Sequence, residues 1–357
     1  MKPTAYLVLE NGQIFQGEFF GAIKEVTGEV VFTTGMVSYL ETLTDPRYFG
    51  QIVVQTFPLI GNYGVIPEDF QRDAMGPKAY IVKDWCQVPS NFRAKGELGT
   101  FFTQQGLAAV KGIDTRSVTK ALREKGSMNG IITSDLKSVN FESMKGYRVQ
   151  GAVGQVSVKE IDSLVPAQEN LPVRGQRRKV AVVDCGLMEM VTQPLLALGA
   201  ELTVCPWDTG AQEIARLDPD GILLSGGPGD PREDPRMIRR VQEMIALNLP
   251  VFGVGLGHQL LALAQGMTVK KLKYGHRGEN LPVKDRETGK LWITGQNHGY
   301  AVAKESIPRE VSLWFTNLND GSCEGLRYRD IPALSVQFNP QEAQFRAFAE
   351  MMEKGER

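Results

Sequence analysis

The sequence predicts an α/β protein in two differently built halves: a β-rich α+β half over residues 1–150, then a half over 179–357 folded around a mostly parallel sheet. Three observations carry this. Short β-prone runs broken by turn residues fill the first 150 residues, without regular strand–helix alternation. Beyond residue 178 strands and helix-length segments do alternate, the rhythm of a parallel sheet covered on both faces. Between them, residues 151–178 turn polar and charged and end in PVRGQRRK, the composition of a connecting segment, with room for a helix ahead of it.

In chain order, TAYLVLENGQIFQGEFFG reads as a hairpin turning at Asn11-Gly12, the strongest short turn signal. GEVVFTTG, GQIVVQTFPLIGN and AYIVKD supply further strands. GTFFTQQG and DTRSVTKALREKG are helical, and Asp114 can cap the second. In the second half KVAVVDCG, ELTVCPWD, GILLSGGPGDP and PVFGVG are strands, separated by the helical stretches EMVTQPLLALG and PRMIRRVQEMIALN.

Composition narrows the function classes. A chain of 357 residues, 42% hydrophobic and 23% charged, can bury two ordinary cores. The net charge is -1 and no basic run reaches five residues, which argues against nucleic acid or an anionic membrane as main partner. No apolar stretch approaches the roughly 20 residues of a membrane span, and MKPTAYLVLENG lacks a signal-peptide layout. Cys86, Cys185, Cys205 and Cys323 lack CxxC spacing, so neither a zinc site nor a disulfide frame is expected, and a reducing cytoplasm is. Any histidine chemistry must fall to His258, His276 or His298.

Two glycine-rich turns stand at predicted strand ends, Ser225–Gly229 in LLSGGPGDP and Gly253–Gly257 in VFGVGLGHQLLALAQG. Ligands in open parallel sheets bind beyond the carboxyl ends of strands, and glycine turns let backbone amides form an anion-binding concavity. A glycine turn is equally a plain tight loop; the pairing of two gives the signal. The GVGLG spacing is not the dinucleotide fingerprint G-x-G-x-x-G, and no strand ends at an acidic residue about 20 positions on. Strand, sharp turn and helix instead form a nucleophile elbow, in which a reactive side chain stands beside helix amides. Here the turn carries Gly255, which has no side chain.

The C-terminal half resembles a class I (triad) glutamine amidotransferase domain with a flavodoxin-like sheet. The whole chain resembles the small, glutamine-hydrolysing subunit of carbamoyl phosphate synthetase. GEVVFTTGMVSYLETLTDPRYFGQIV, FPLIGNYG, SNFR, GIDTRSVTKALREKG and NGIIT carry the resemblance in the first half. LSGGPGDP, GLGHQLLALA, YGHRGENLPV and GQNHGYAV continue it in the family's order. In that family the elbow reads G-[IV]-C-[LF]-G-H-Q and its cysteine attacks the glutamine amide; the matching residue here is Gly255. The family's FHPE segment supplies the base histidine and its orienting glutamate. Here it reads SVQFNPQEAQ, with Asn339 and Gln341 in those places.

No catalytic position is therefore intact. Glycine cannot form an acyl-enzyme, asparagine is no base at neutral pH, and glutamine cannot steady an imidazolium. Triad members act as a unit, so losing all three leaves at most residual binding effects. Cys185, at an earlier strand end, is the thiol to weigh as a relocated nucleophile; His258 and His298 match family positions outside the triad.

The resemblance further implies a substrate-binding set that is either retained or vestigial. Gly227 and Gly229 would face the substrate, the amide of Leu256 would contribute to an oxyanion hole, and Gln259, Asn297 and Gly299 would hold glutamine. Tyr300 stands where phenylalanine is usual. Arg47 stands where a small hydroxyl residue contacts the glutamine carboxylate, and it would either pair with a carboxylate or fill the space. Structural roles compete for each: turn geometry and close packing for the glycines, hydrogen-bonded bracing for His258, Gln259 and Asn297. His276 reads as a loop-bracing residue. An active elbow strains its nucleophile's backbone by about 1–3 kcal/mol, and glycine at 255 relieves that.

The implied function is a glutaminase-silent small subunit, joined to the large subunit in a heterodimer or higher oligomer, while free ammonia supplies nitrogen for carbamoyl phosphate in pyrimidine and arginine synthesis. No cofactor or metal is expected in this chain; the large subunit would hold ATP and magnesium. A different class stays open, a stand-alone sensor or interaction protein in which Arg47 and the glycine nests recognise glutamine or another carboxylate metabolite.

Overall fold

The computed structural model describes residues 3–165 and 177–354 and divides the chain into two compact units. The first comprises Met1–Gln150 together with Lys273–Glu279; the second comprises Gly151–Leu272 and Asn280–Arg357.

In the first unit, Thr4–Leu9 (β1) is a near-continuous apolar run buried on both faces, while Ile14–Phe19 (β2) buries chiefly Gly17 and Phe19. They pair antiparallel about the Asn11-Gly12 turn, with Gly12 at φ 88°. Then follow Val26–Thr33 (β3), helix Tyr39–Leu43 (α1), Gln51–Gln55 (β4), Leu59–Ile60 (β5), Ala79–Ile81 (β6) and Asp84–Trp85 (β7). Helix Leu98–Gln104 (α2), Ala108–Lys111 (β8), helix Thr115–Lys125 (α3), Met128–Thr133 (β9) and helix Phe141–Gly146 (α4) complete it. Seven strands close into a barrel in the order β1-β2-β8-β6-β4-β3-β9. Four of them, β3, β4, β6 and β8, run parallel to one another. Sequence rhythm alone did not show this, because the connections between them are not regular helices. Leu7, Leu9, Val30, Ile52, Val54, Ile81 and Val110 fill one core, with α3 packing Val118 and Leu122 on it. Asp114 caps α3 as expected, its carboxylate accepting from the Ser117 amide at 3.0 Å.

The second unit begins inside the stretch that reads as a connector. Helix Ala152–Val156 (α5) and strand Asp162–Leu164 (β10) belong to it, and β10 pairs with the second strand of its sheet. What anchors this polar stretch is a buried carboxylate: Asp184 accepts from the Val158 amide at 2.8 Å. Residues 166–176 of the connector lie outside the described residues.

The parallel part comprises Lys179–Asp184 (β11), Glu201–Pro206 (β12), Gly221–Leu224 (β13) and Val251–Val254 (β14). Between them run helices Glu189–Ala197 (α6), Ala211–Arg216 (α7) and Pro235–Ile245 (α8), and Leu256–Ala264 (α9) follows β14. Near-continuous apolar runs such as GILL and VFGV suit strands buried on both faces. The sheet then continues beyond the predicted strands with Val269–Asp285 (β15), Leu291–Val302 (β16), Val311–Asn317 (β17), Cys323–Tyr328 (β18) and Ala333–Val336 (β19), before helix Glu342–Lys354 (α10). Its order is β10-β12-β11-β13-β14-β19-β18-β17-β15-β16. His276 lies within β15, not in a loop, even though Gly275 before it takes φ 73°.

Candidate functional site

The second unit's site is built where β13, β14 and β19 end. β14 is flanked by β13 and β19, both parallel to it, and Val254 pairs with Val336. Gly255 and Asn339 therefore leave the same end of neighbouring strands. Gly255 has φ 54° and ψ −109°, and forms the N-cap of α9. A side chain rarely adopts that conformation, and its amide is held by the Val336 carbonyl at 2.8 Å. Space is not the obstacle: a Cβ there would meet Gly226 Cα at 3.4 Å and the Gln337 carbonyl at 4.0 Å.

The neighbouring glycines answer to packing. A Cβ on Gly257 would lie 2.1 Å from the Leu224 carbonyl, so α9 can rest on β13 only with glycine there. On Gly227 it would lie 2.2 Å from the Cys185 carbonyl. Gly229 needs φ 91°, beside Ala152 and Glu233. Two buried groups that sequence reasoning missed fix this geometry. Asp184 accepts from the amides of Gly186 at 2.8 Å and Leu187 at 2.6 Å, and Ser225 Oγ accepts from the Cys185 amide at 2.9 Å. Aspartate at a strand end ahead of C-G was the signal available.

Leu256 opens α9 and is buried, which places its amide in the first turn, where helix N–H groups lack intrahelical acceptors. Gln259 is buried, and its amide group donates to the Tyr300 carbonyl at 3.0 Å and to Gln337 Oε1 at 2.9 Å, so it braces α9 against β16 and the end of β19. Asn297 and Gly299 lie on β16, Asn297 buried and Gly299 half-buried. The Tyr300 hydroxyl hydrogen-bonds Asp230, and the Arg232 guanidinium lies 5.6 Å from its ring centre. Burial pushes the Asp230 carboxyl up, but hydrogen bonds from Arg232 and Tyr300 outweigh it and hold the group below the usual range. Phenylalanine would forgo that hydroxyl bond.

Asn339 and Gln341, the positions that the resemblance assigns to base and orienter, are tied into the scaffold. The Asn339 amide N–H donates to the Gly295 carbonyl at 2.9 Å, and Gln341 Nε2 donates to the Ile293 carbonyl at 2.8 Å. The histidines of this unit are engaged as well. His258 Nδ1 shares a 2.8 Å hydrogen bond with Ser335 Oγ, and burial pushes its imidazole down to about 3, so it is neutral at pH 7. His298 bonds the Tyr300 carbonyl at 2.8 Å and Gln296 Oε1 at 3.2 Å. Cys185 is fully buried, and desolvation, with Asp184 next to it, pushes its thiol far above the range in which a thiolate forms.

Arg47 belongs to the first unit, on the short 3-10 turn Pro46–Tyr48. Its side chain is almost wholly buried and forks onto Asp45, with Nε at 2.9 Å and Nη2 at 2.9 Å from the two carboxylate oxygens.

Residues 7–132 match the carbamoyl-phosphate synthase small chain, CPSase domain, and residues 181–355 match glutamine amidotransferase class-I. The chain is 42% identical over 337 residues to the carbamoyl phosphate synthase small chain of Clostridium perfringens, covering 94% of each. It is 41% identical to that of Symbiobacterium thermophilum, covering 93% of this chain and 92% of that one, and 42% identical to that of Bacillus caldolyticus, covering 94% and 90%. The chain belongs to the carbamoyl phosphate synthase small chain family. Among solved structures it is similar to a glutamine amidotransferase from Thermotoga maritima, at 19% identity and TM-score 0.38, over 51% of this chain and 84% of that one. Within the described residues no helix is long and apolar enough to cross a membrane.

Proposed function

We propose that this family member binds and supports the ATP-using large subunit of a carbamoyl phosphate synthetase while hydrolysing no glutamine itself. One observation carries the reading: the elbow is built, with its strand, turn and helix in place, and the residue at its apex is glycine. A thioester needs a nucleophile at that apex and a base within hydrogen-bond reach. Neither Gly255, Asn339 nor Gln341 supplies one, and the buried Cys185 thiol and neutral His258 are poor substitutes. Binding of glutamine is the second casualty on this reading, because Arg47 spends its guanidinium on Asp45. The same pairing weighs against a carboxylate sensor built on Arg47. Nitrogen would then enter the complex as free ammonia, with ATP and magnesium held by the large subunit.

The test is to co-express the chain with the large subunit from the same cell and assay carbamoyl phosphate formation with glutamine and with ammonia. Co-purification together with ammonia-only activity is the expected result. Sustained glutamine-dependent synthesis by a preparation free of other glutaminases would overturn the silent-subunit reading, and failure of the two chains to associate would overturn the partner.

A further inference from the structure

Along one face of α3 the first unit holds a cavity of about 1030 Å³, at the upper end of small-ligand pockets. Arg116, Lys120 and Arg123 line one wall at helical spacing; Lys83 and Lys273 line it from other elements. Two acids also face it, but both are occupied. Asp114 accepts from Ser117 N and Oγ as the cap of α3, and Glu124 lies 4.0 Å from Lys120. Asp114 also feels Lys83, while among the described residues Arg116, Arg123 and Lys273 have no carboxylate in ion-pair contact. Cations therefore outnumber carboxylates around this concavity, in a chain of net charge -1.

We propose that this cleft binds a nucleotide-sized phosphorylated ligand. Guanidinium forks suit phosphate oxygens better than they suit water. Arg116 and Arg123 are seven residues apart, about 10 Å along the helix axis, farther than one phosphate spans. The cleft also holds an aromatic surface, Tyr274, which is half-buried and braced by Phe32 at 5.8 Å between ring centres, so it is pre-positioned for a base. A cleft made only for a carboxylate or a single phosphate would need neither this length nor the ring. The proposal is independent of glutamine chemistry and of the large subunit, so it stands or falls separately from the function proposed above.

The probe is ADP, titrated calorimetrically into the full chain at low salt, with inorganic pyrophosphate and adenosine as comparison arms. One saturable site is expected for ADP, weaker binding for pyrophosphate and none for adenosine. The double substitution Arg116→Ala/Arg123→Ala changes two exposed side chains and leaves the barrel core intact; it should weaken ADP at least about tenfold at unchanged melting temperature. Tyr274→Leu should weaken ADP but not pyrophosphate. No saturable binding at millimolar ADP would overturn the proposal. So would pyrophosphate matching ADP with no dependence on Tyr274, which would make the cleft a patch that reads charge alone. Loss of large-subunit capture in the double variant without any ADP binding would make it a protein-docking face instead, and equally end the proposal.

Discussion

Returning a thiol to the elbow, Gly255→Cys, should destabilise the protein without restoring the enzyme. A new Cβ has room, with its nearest neighbours at 3.4 and 4.0 Å, so packing contributes little cost. The backbone decides it: φ 54° with ψ −109° is a region side chains rarely occupy, and holding one there costs about 1–3 kcal/mol. Near the melting temperature each kcal/mol shifts a domain of this size by roughly 2–4 °C. The expected drop is therefore roughly 2–12 °C, and Gly255→Ala should show the same drop because the strain belongs to Cβ, not to sulfur. Differential scanning calorimetry of the three proteins reads this directly. In parallel, labelled glutamine tests for thioester trapping in Gly255→Cys and in the triple variant with Asn339→His and Gln341→Glu. Negligible trapping is expected in the single variant, which still lacks a base. Efficient trapping there would refute the account of the site, and an unchanged melting temperature in both single variants would refute the strain argument.

Three further outcomes are expected. Gly257→Ala, which would put a Cβ 2.1 Å from the Leu224 carbonyl, should cost more than Gly255→Ala, at least about 3 kcal/mol by urea unfolding. His258 should make stability fall with acid. Unfolded it titrates near 6.5 and folded it stays neutral to about 3, so the unfolded chain binds the extra proton between those values. Its contribution is whole above pH 6.5 and shrinks by roughly 1.4 kcal/mol per pH unit as pH falls toward 3; a flatter profile in His258→Gln checks it. Arg47→Ser should lose about 3 kcal/mol by taking the guanidinium from the buried Asp45 carboxylate, and Arg47→Ser/Asp45→Asn should regain part of it in the same unfolding assay.

Legibility in the sequence followed the range of the interactions. The β1–β2 turn and the Asp114 cap rest on contacts within a few residues, and the β11–β14 rhythm is a local alternation of strand and helix composition, so local pattern exposes them. Closure of the first unit into a barrel depends on β3–β4–β6–β8 pairing through irregular connections, which no periodicity records. Strands β15 to β18 alternate charged and apolar residues unevenly, and the register shifts along β17–β18 break the period-2 pattern further. Gly255, Asn339 and Gln341 stood out in the sequence because each is a single residue in a fixed motif of the family that the chain resembles. What holds them did not. Asp184 reaches Val158 across 26 positions, and Gln259 reaches Gln337 across 78.

Those long-range contacts bear on why an elbow persists without a nucleophile. Gly257 is dictated by the approach of α9 to β13, Gly227 by the Cys185 carbonyl, and the loop after β11 by the Asp184 carboxylate. None of these constraints refers to a substrate; each would hold in a protein that had never hydrolysed glutamine. Retention of GLGHQ and SGGPG therefore says that the sheet must keep its shape, and says nothing in favour of turnover. Gly255, whose Cβ site is open, carries no such packing duty. On the function proposed here, a packed scaffold with glycine at its apex suits a subunit valued for its surfaces, so association with a large subunit, not hydrolysis, is the property to measure first.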